Sequence, residues 1–72
     1  MKDNRIKILA SNIKAERNRK SYTQAMLAEK INVSEGTVSL IERGVQTPSV
    51  FIVYDIAKEL NIDIAELFKN FD

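Results

Sequence analysis

Cysteine and histidine are both absent from the 72-residue chain. Their absence removes disulfide staples, thiol nucleophiles, imidazole general bases and the usual zinc ligands together. Proline occurs once, at Pro48, and glycine only at Gly36 and Gly44, so few points force regular structure to stop. No apolar run approaches the roughly 20 residues that a membrane span needs, and no signal-peptide core is visible. The lack of cysteine suits a reducing compartment. The expectation is a soluble, cytoplasmic protein with no membrane partner. A chain of this size buries only about 60% of the surface its unfolded form exposes, so self-association would be a useful addition to a thin core. The composition is globular rather than disordered, at 44% hydrophobic and 29% charged residues. No internal repeat is visible, and residues 1–72 read as a single domain.

The formal net charge of +1 conceals an asymmetry. Lys2, Arg5, Lys7, Lys14, Arg17, Arg19 and Lys20 face only Asp3 and Glu16 in the first twenty residues, a local balance of +5. Residues 21–49 balance at −1 and residues 50–72 at −3. The chain is therefore basic at its start and acidic at its end, a distribution that suits a polyanion on one side as well as it suits a solvated, lysine-rich helix.

Apolar spacing is helical throughout. Ile6, Leu9, Ala10 and Ile13 mark a first helix from about Asn4, its expected N-cap, to Arg19. Thr23 should cap a short second helix running to Ile31, with Leu27, Ala28 and Ile31 inward, and Asn32 suits its left-handed end. Ser34 should cap a third helix that ends near Arg43, with Val38 and Ile41 inward and Gly44 as terminator. Ser49 should cap a fourth, running to Leu60, with the stripe Val50, Val53, Ile56, Ala57 and Leu60. Asn61 stops it, and Asp63 with Glu66 reads as a capping-box variant opening a fifth helix to about Lys69. The fold class expected is all-α: a compact five-helix domain.

The second and third helices are separated by too few residues for a relaxed hairpin, which predicts a steep crossing of the helix-turn-helix kind over about residues 23–43. Ala28 supplies the small residue at the crossing, and Leu27, Ile31, Val33, Val38 and Ile41 supply the apolar wedge. The segment Thr23–Ile31, then Val33-Ser34, Val38 and Ile41-Glu42-Arg43-Gly44, resembles the phage-repressor and Cro-like helix-turn-helix family, also called the xenobiotic-response-element family. Upstream Asn12–Arg17 and downstream Pro48-Ser49, Ile56-Ala57 and Leu60 fit the same pattern, so the likeness covers about residues 8–68. The resemblance implies a lambda-repressor-like domain that binds double-stranded DNA. It implies that Gln24 bonds a phosphate and braces the recognition helix, that Ser34 and Arg43 contact phosphates, and that Glu35, Gly36, Thr37, Ser39 and Leu40 face the bases. It also implies a buried or half-buried ion pair between Arg17 and Glu42.

The reading helix departs from the usual chemistry, because neither Arg for guanine nor Gln for adenine stands at its exposed positions. Glu35 suits a cytosine amino group, or else only the helix dipole. Leu40 suits a thymine methyl, and Gly36 either allows close backbone approach or has no functional reason. Outside the motif, Phe51, Ile52, Tyr54 and Phe71 add more large apolar groups than a small domain usually leaves in water. They predict a homodimer interface, with local packing as the bland alternative. The function expected is a sequence-specific transcriptional regulator, a homodimer on a palindromic operator. The alternative is the same fold used as a protein-interaction module. No catalytic residue, metal site, cofactor or small-molecule ligand is expected, since nothing in the chain converges on a pocket chemistry.

Overall fold

The computed structural model describes residues 3–72. Four α-helices follow one another: α1 (Arg5–Arg19), α2 (Gln24–Lys30), α3 (Glu35–Glu42) and α4 (Val50–Glu59). A 3₁₀ helix at Ile64–Phe68 completes the chain, and no strand occurs among the described residues. The class is all-α, with four α-helices rather than the five expected. The fifth segment is tighter than an α-helix because only five residues are available, too few to offset α-helix nucleation. Asp63 does cap it, accepting from the Ala65 N–H at 2.9 Å, and Glu66 N–H returns to the Asp63 carbonyl at 2.9 Å. The Glu66 carboxylate turns outward instead, 3.7 Å from Lys69 Nζ.

The interior helices start as their sequences dictate. Thr23, Ser34 and Ser49 hold extended backbone, and each hydroxyl accepts the N–H three residues on, at Met26, Thr37 and Ile52, over 3.0–3.2 Å. Asn4 does not act as the cap expected of it. Its own backbone is already helical (φ −84°, ψ −2°), so its side chain makes no cap bond. Asp3 serves instead, its Oδ1 accepting the Arg5 N–H at 2.9 Å. Side-chain hydrogen bonds from Arg5 hold the Asp3 carboxyl down at about 2.

All four α-helices end in the same way, with a left-handed residue after the C-cap and a paired set of reversed hydrogen bonds. The left-handed residues are Ser21, Asn32, Gly44 and Asn61, with φ between 55° and 71°. The following N–H, from Tyr22, Val33, Val45 and Ile62, returns to the carbonyl of Arg17, Ala28, Leu40 and Ala57 respectively, at 2.9–3.1 Å. These closures make each connection short and fix the direction in which the next helix leaves.

Leu9 and Ile13 of α1, Leu27 and Ala28 of α2 with Ile31 after it, and Val38 and Ile41 of α3 meet in one core. Val53, Ile56 and Ala57 of α4, with Leu60 after it and Leu67 of the 3₁₀ helix, complete it. Val50 does not join this stripe: it is 67% exposed, while Val53 of the same turn is buried and Ile52 packs against the core. Two buried polar residues of α1 bind the tail. Asn12 donates its side-chain amide to the carbonyls of Leu67 at 3.0 Å and Lys69 at 2.9 Å. Glu16 is 2% exposed and lies 3.5 Å from Arg19 Nη2 and 3.7 Å from Lys69 Nζ. No described helix is long and apolar enough to cross a membrane.

Candidate nucleic-acid interface

The left-handed turn at Asn32 and the Ser34 cap set α3 directly after α2, so the two helices pack closely through Leu27, Ala28, Val38 and Ile41. A buried polar knot fixes this pair to α1. Arg17 Nε donates to Glu42 Oε2 at 2.6 Å and Nη2 donates to Oε1 at 2.9 Å, a two-pronged pairing of matched shape. The remaining prong, Nη1, donates to the Tyr22 carbonyl at 2.7 Å. Both side chains are nearly sealed from solvent, at 9% and 2% exposed. The hydrogen-bonded Glu42 carboxylate pushes the Arg17 guanidinium above its ordinary pKa, against the opposing effect of burial.

Gln24 enters the same knot. Its Nε2 donates to Glu42 Oε1 at 3.1 Å, which fixes the amide at the first residue of α2 while one N–H stays uncommitted. One carboxylate thus ties α1, α2 and α3 together and orients a half-buried amide at the start of α2. The resemblance implied both the Arg17–Glu42 pair and a Gln24 that braces the recognition helix, but not Glu42 as the residue through which Gln24 does so. Eighteen residues separate Gln24 from Glu42, and no local pattern signals the bond.

Along α3, Glu35 and Gly36 are exposed, Thr37, Ser39 and Leu40 are half-buried, and Val38, Ile41 and Glu42 face inward. Ser34 Oγ lies 2.8 Å from Thr37 Oγ1 while accepting the Thr37 N–H at 3.0 Å, so one of these hydroxyl protons is shared between them. Arg43 follows as the C-cap, with its side chain in solvent. A second cation reaches the same place from α1: Lys7 Nζ donates to the Arg43 carbonyl at 3.4 Å. Its stem runs over Gly44, where a Cβ would stand 2.9 Å from Lys7 Cδ and the backbone is left-handed (φ 71°). A larger residue there would be strained by the left-handed backbone and would have to push the Lys7 stem aside. Lys7 was not singled out from the sequence, since 36 residues separate it from its partner.

The apolar residues expected to form an interface divide into two groups. Phe51 and Tyr54 are 77% and 55% exposed and, with Val50, make one contiguous outer stripe on α4. Ile52 and Phe71 are half-buried and pack against the core of their own chain. The Phe71 ring meets Phe68 edge to face, 5.4 Å between centres at 78°, beside a shallow cleft of about 410 Å³ lined by Ile6, Leu9 and Thr47. No group of three or more potential metal ligands occurs among the described residues.

A helix-turn-helix family model matches residues 13–67. Among curated proteins, the chain is 42% identical over 55 residues to an uncharacterized HTH-type transcriptional regulator, YazB, of Bacillus subtilis (strain 168), covering 76% of this chain and 80% of the relative. It is 33% identical over 60 residues to an uncharacterized HTH-type transcriptional regulator of Archaeoglobus fulgidus, covering 83% and 86%. Among solved structures, the restriction-modification controller protein C.AhdI of Aeromonas hydrophila superposes with a TM-score of 0.84 at 25% identity, covering 88% of this chain and 96% of that one. The clp gene regulator ClgR of Corynebacterium glutamicum gives a TM-score of 0.84 at 27% identity, but this chain spans only 66% of its length. With the match running from α1 to the 3₁₀ helix, the chain belongs to the Cro/C1-type helix-turn-helix family.

Proposed function

We propose that this protein is a sequence-specific, DNA-binding transcriptional regulator that works in the cytoplasm as a homodimer on a palindromic operator, without catalysis or cofactor. The observation that carries the reading is the buried knot of Arg17, Glu42 and Gln24. It holds α2 and α3 in fixed register and sets a hydrogen-bond donor at the start of α2 beside the end of α3, where Arg43 and Lys7 add two cations. Donor and cations gathered there suit a backbone of phosphates, and the exposed side of α3 that leads from them suits a major groove. The names of the relatives, transcriptional regulators and a restriction-modification controller, support the same reading.

The outer stripe of α4, Val50, Phe51 and Tyr54, supports the homodimer, since a second copy would cover it and provide a second reading helix. Two half-sites about 34 Å apart would then be bound together. The base-facing roles go to Glu35, Gly36, Thr37, Ser39 and Leu40, and the phosphate-facing roles to Gln24, Ser34 and Arg43. A protein-interaction module is the second reading, favoured by the exposed Glu35 carboxylate on α3.

Selection from a random pool of double-stranded DNA separates the two readings, because only the first enriches a motif, and that motif should be two-fold symmetric. Arg43→Ala should then weaken binding to all duplexes alike and make the dependence of log K on log salt shallower by about one unit per protomer, about two for the dimer. Binding unchanged in affinity and slope would remove Arg43 from the phosphate-facing set.

A further inference from the structure

We propose that Glu35 and Gly36 together form a cytosine-selecting element at the start of α3, in which the carboxylate accepts one base edge and repels the others while the bare backbone beside it permits the approach. The inference rests on the DNA-binding reading and names the base pair that this end of the helix selects. Glu35 is exposed and forms no ion pair among the described residues. It is the only exposed charged side chain on α3, so no side chain of its own helix neutralises it, and only the dipole of the first turn opposes its charge. The neighbouring hydroxyls of Ser34 and Thr37 are turned toward each other.

An anion without an ion-pair partner on a face that meets DNA opposes the general attraction that phosphates give a binding protein. Only a specific gain offsets that repulsion, and a carboxylate, which accepts but does not donate, finds few partners in the major groove. Guanine offers N7 and O6, both acceptors, and thymine offers O4 and a methyl group. Adenine offers its N6 amino group beside the acceptor N7, which would face the second carboxylate oxygen. Cytosine offers its N4 amino group with no acceptor next to it on that edge. The carboxylate therefore discriminates chiefly by excluding three base identities.

Gly36 supplies the second, independent observation. Glycine is a poor helix former, and nothing in the protein requires it here. Gly36 lies inside α3 and is not left-handed, in contrast to Gly44. A Cβ built on it would meet only Ser34 Oγ, at 3.8 Å, an ordinary contact. The fold would accept alanine, so the missing side chain serves what lies outside the fold. Next to Glu35, it lets the backbone settle against the base edges so that a short carboxylate stem reaches the cytosine amino group.

The test uses the full-length wild type and two variants. The wild-type protein is selected on random duplex DNA, and the enriched site is then compared with its three single-base-pair alternatives at each half-site position. The wild type should prefer C·G at one position per half-site by about tenfold or more. Glu35→Gln should bind random duplex more tightly and move that preference to A·T, since an amide pairs with the N6 and N7 of adenine. Gly36→Ala should raise the thermal midpoint yet weaken binding to the enriched site several-fold. A wild type that enriches no duplex overturns the DNA-binding reading and this inference with it. A motif that Glu35→Gln leaves unaltered, or a Gly36→Ala variant that binds as tightly as the wild type, overturns this inference alone.

Discussion

Replacing Glu42 with alanine should lower stability by about 3–5 kcal/mol, the largest loss expected from any single polar residue in the molecule. The carboxylate is the acceptor for two guanidinium N–H groups and for the Gln24 amide, and it is almost wholly buried. Its removal leaves the Arg17 charge buried with only the Tyr22 carbonyl as partner. An uncompensated buried cation costs several kcal/mol, whereas the intact pair contributes much less against an apolar replacement of the same shape. The pair is therefore worth more as a fixture of geometry than as a source of stability. A domain this small has a total stability near the lower end of about 5–15 kcal/mol, so the variant should be substantially unfolded well below the wild-type midpoint. Thermal and urea denaturation followed by circular dichroism measure the loss. Removing Arg17 as well should recover part of it, because the orphaned charge goes too. A double-mutant cycle should give a coupling above about 1 kcal/mol, beyond the range of exposed pairs. Coupling near zero would contradict the role assigned to the knot.

Phe51→Glu should convert the protein from dimer to monomer and cut affinity for a two-half-site operator by about 100-fold or more, as the second reading unit is no longer linked to the first. Phe51 is 77% exposed, so the variant places no charge in the core and helical content should be unchanged. At the centre of the Val50, Phe51 and Tyr54 stripe, the same charge would be trapped against a second copy of itself across a two-fold axis. Sedimentation equilibrium of wild type and variant at micromolar concentration, with and without operator, checks this. A wild type that stays monomeric throughout would contradict it. Ile52 and Phe71 are poorer subjects for the same experiment, because both pack on their own core.

The parts of this fold legible in the sequence are those governed by a few neighbouring residues. Thr23, Ser34 and Ser49 each reach an N–H three residues on, and that relation is visible in one dimension. Asn32, Gly44 and Asn61 are residue types that tolerate the left-handed conformation, and all three adopt it. Ser21 adopts it too, without any such signature. Its turn is set by the hydrogen bond from Tyr22 to Arg17 and by the packing of Tyr22 on the core. Val50 fits the spacing of the buried stripe but, as the first residue of α4, meets no neighbouring element that buries it, a tertiary fact that periodicity does not contain. The last helix had the right cap and too few residues to be α-helical.

Within the candidate site, the two-helix unit was legible because cap, small residue, turn and terminator fall at fixed local spacing. The polar ties were not. Gln24 to Glu42, Lys7 to the Arg43 carbonyl, and Asn12 to the Leu67 and Lys69 carbonyls join residues 18, 36, 55 and 57 positions apart, across helices whose mutual packing had first to be known. The Arg17–Glu42 pair entered only through family likeness, because charges 25 residues apart carry no pairing signal of their own.

The most direct test of the account is the affinity of the wild-type protein for double-stranded DNA, measured by fluorescence anisotropy over a series of salt concentrations. A dimer that neutralises phosphates through Arg43 on each protomer should show log K falling linearly with log salt, with a slope of about −2 or steeper. The slope should persist on random duplex, where attraction to the backbone alone remains. Affinity that does not change with salt, or no binding to any duplex at low salt, would contradict the assignment of α2 and α3 as a DNA-reading unit.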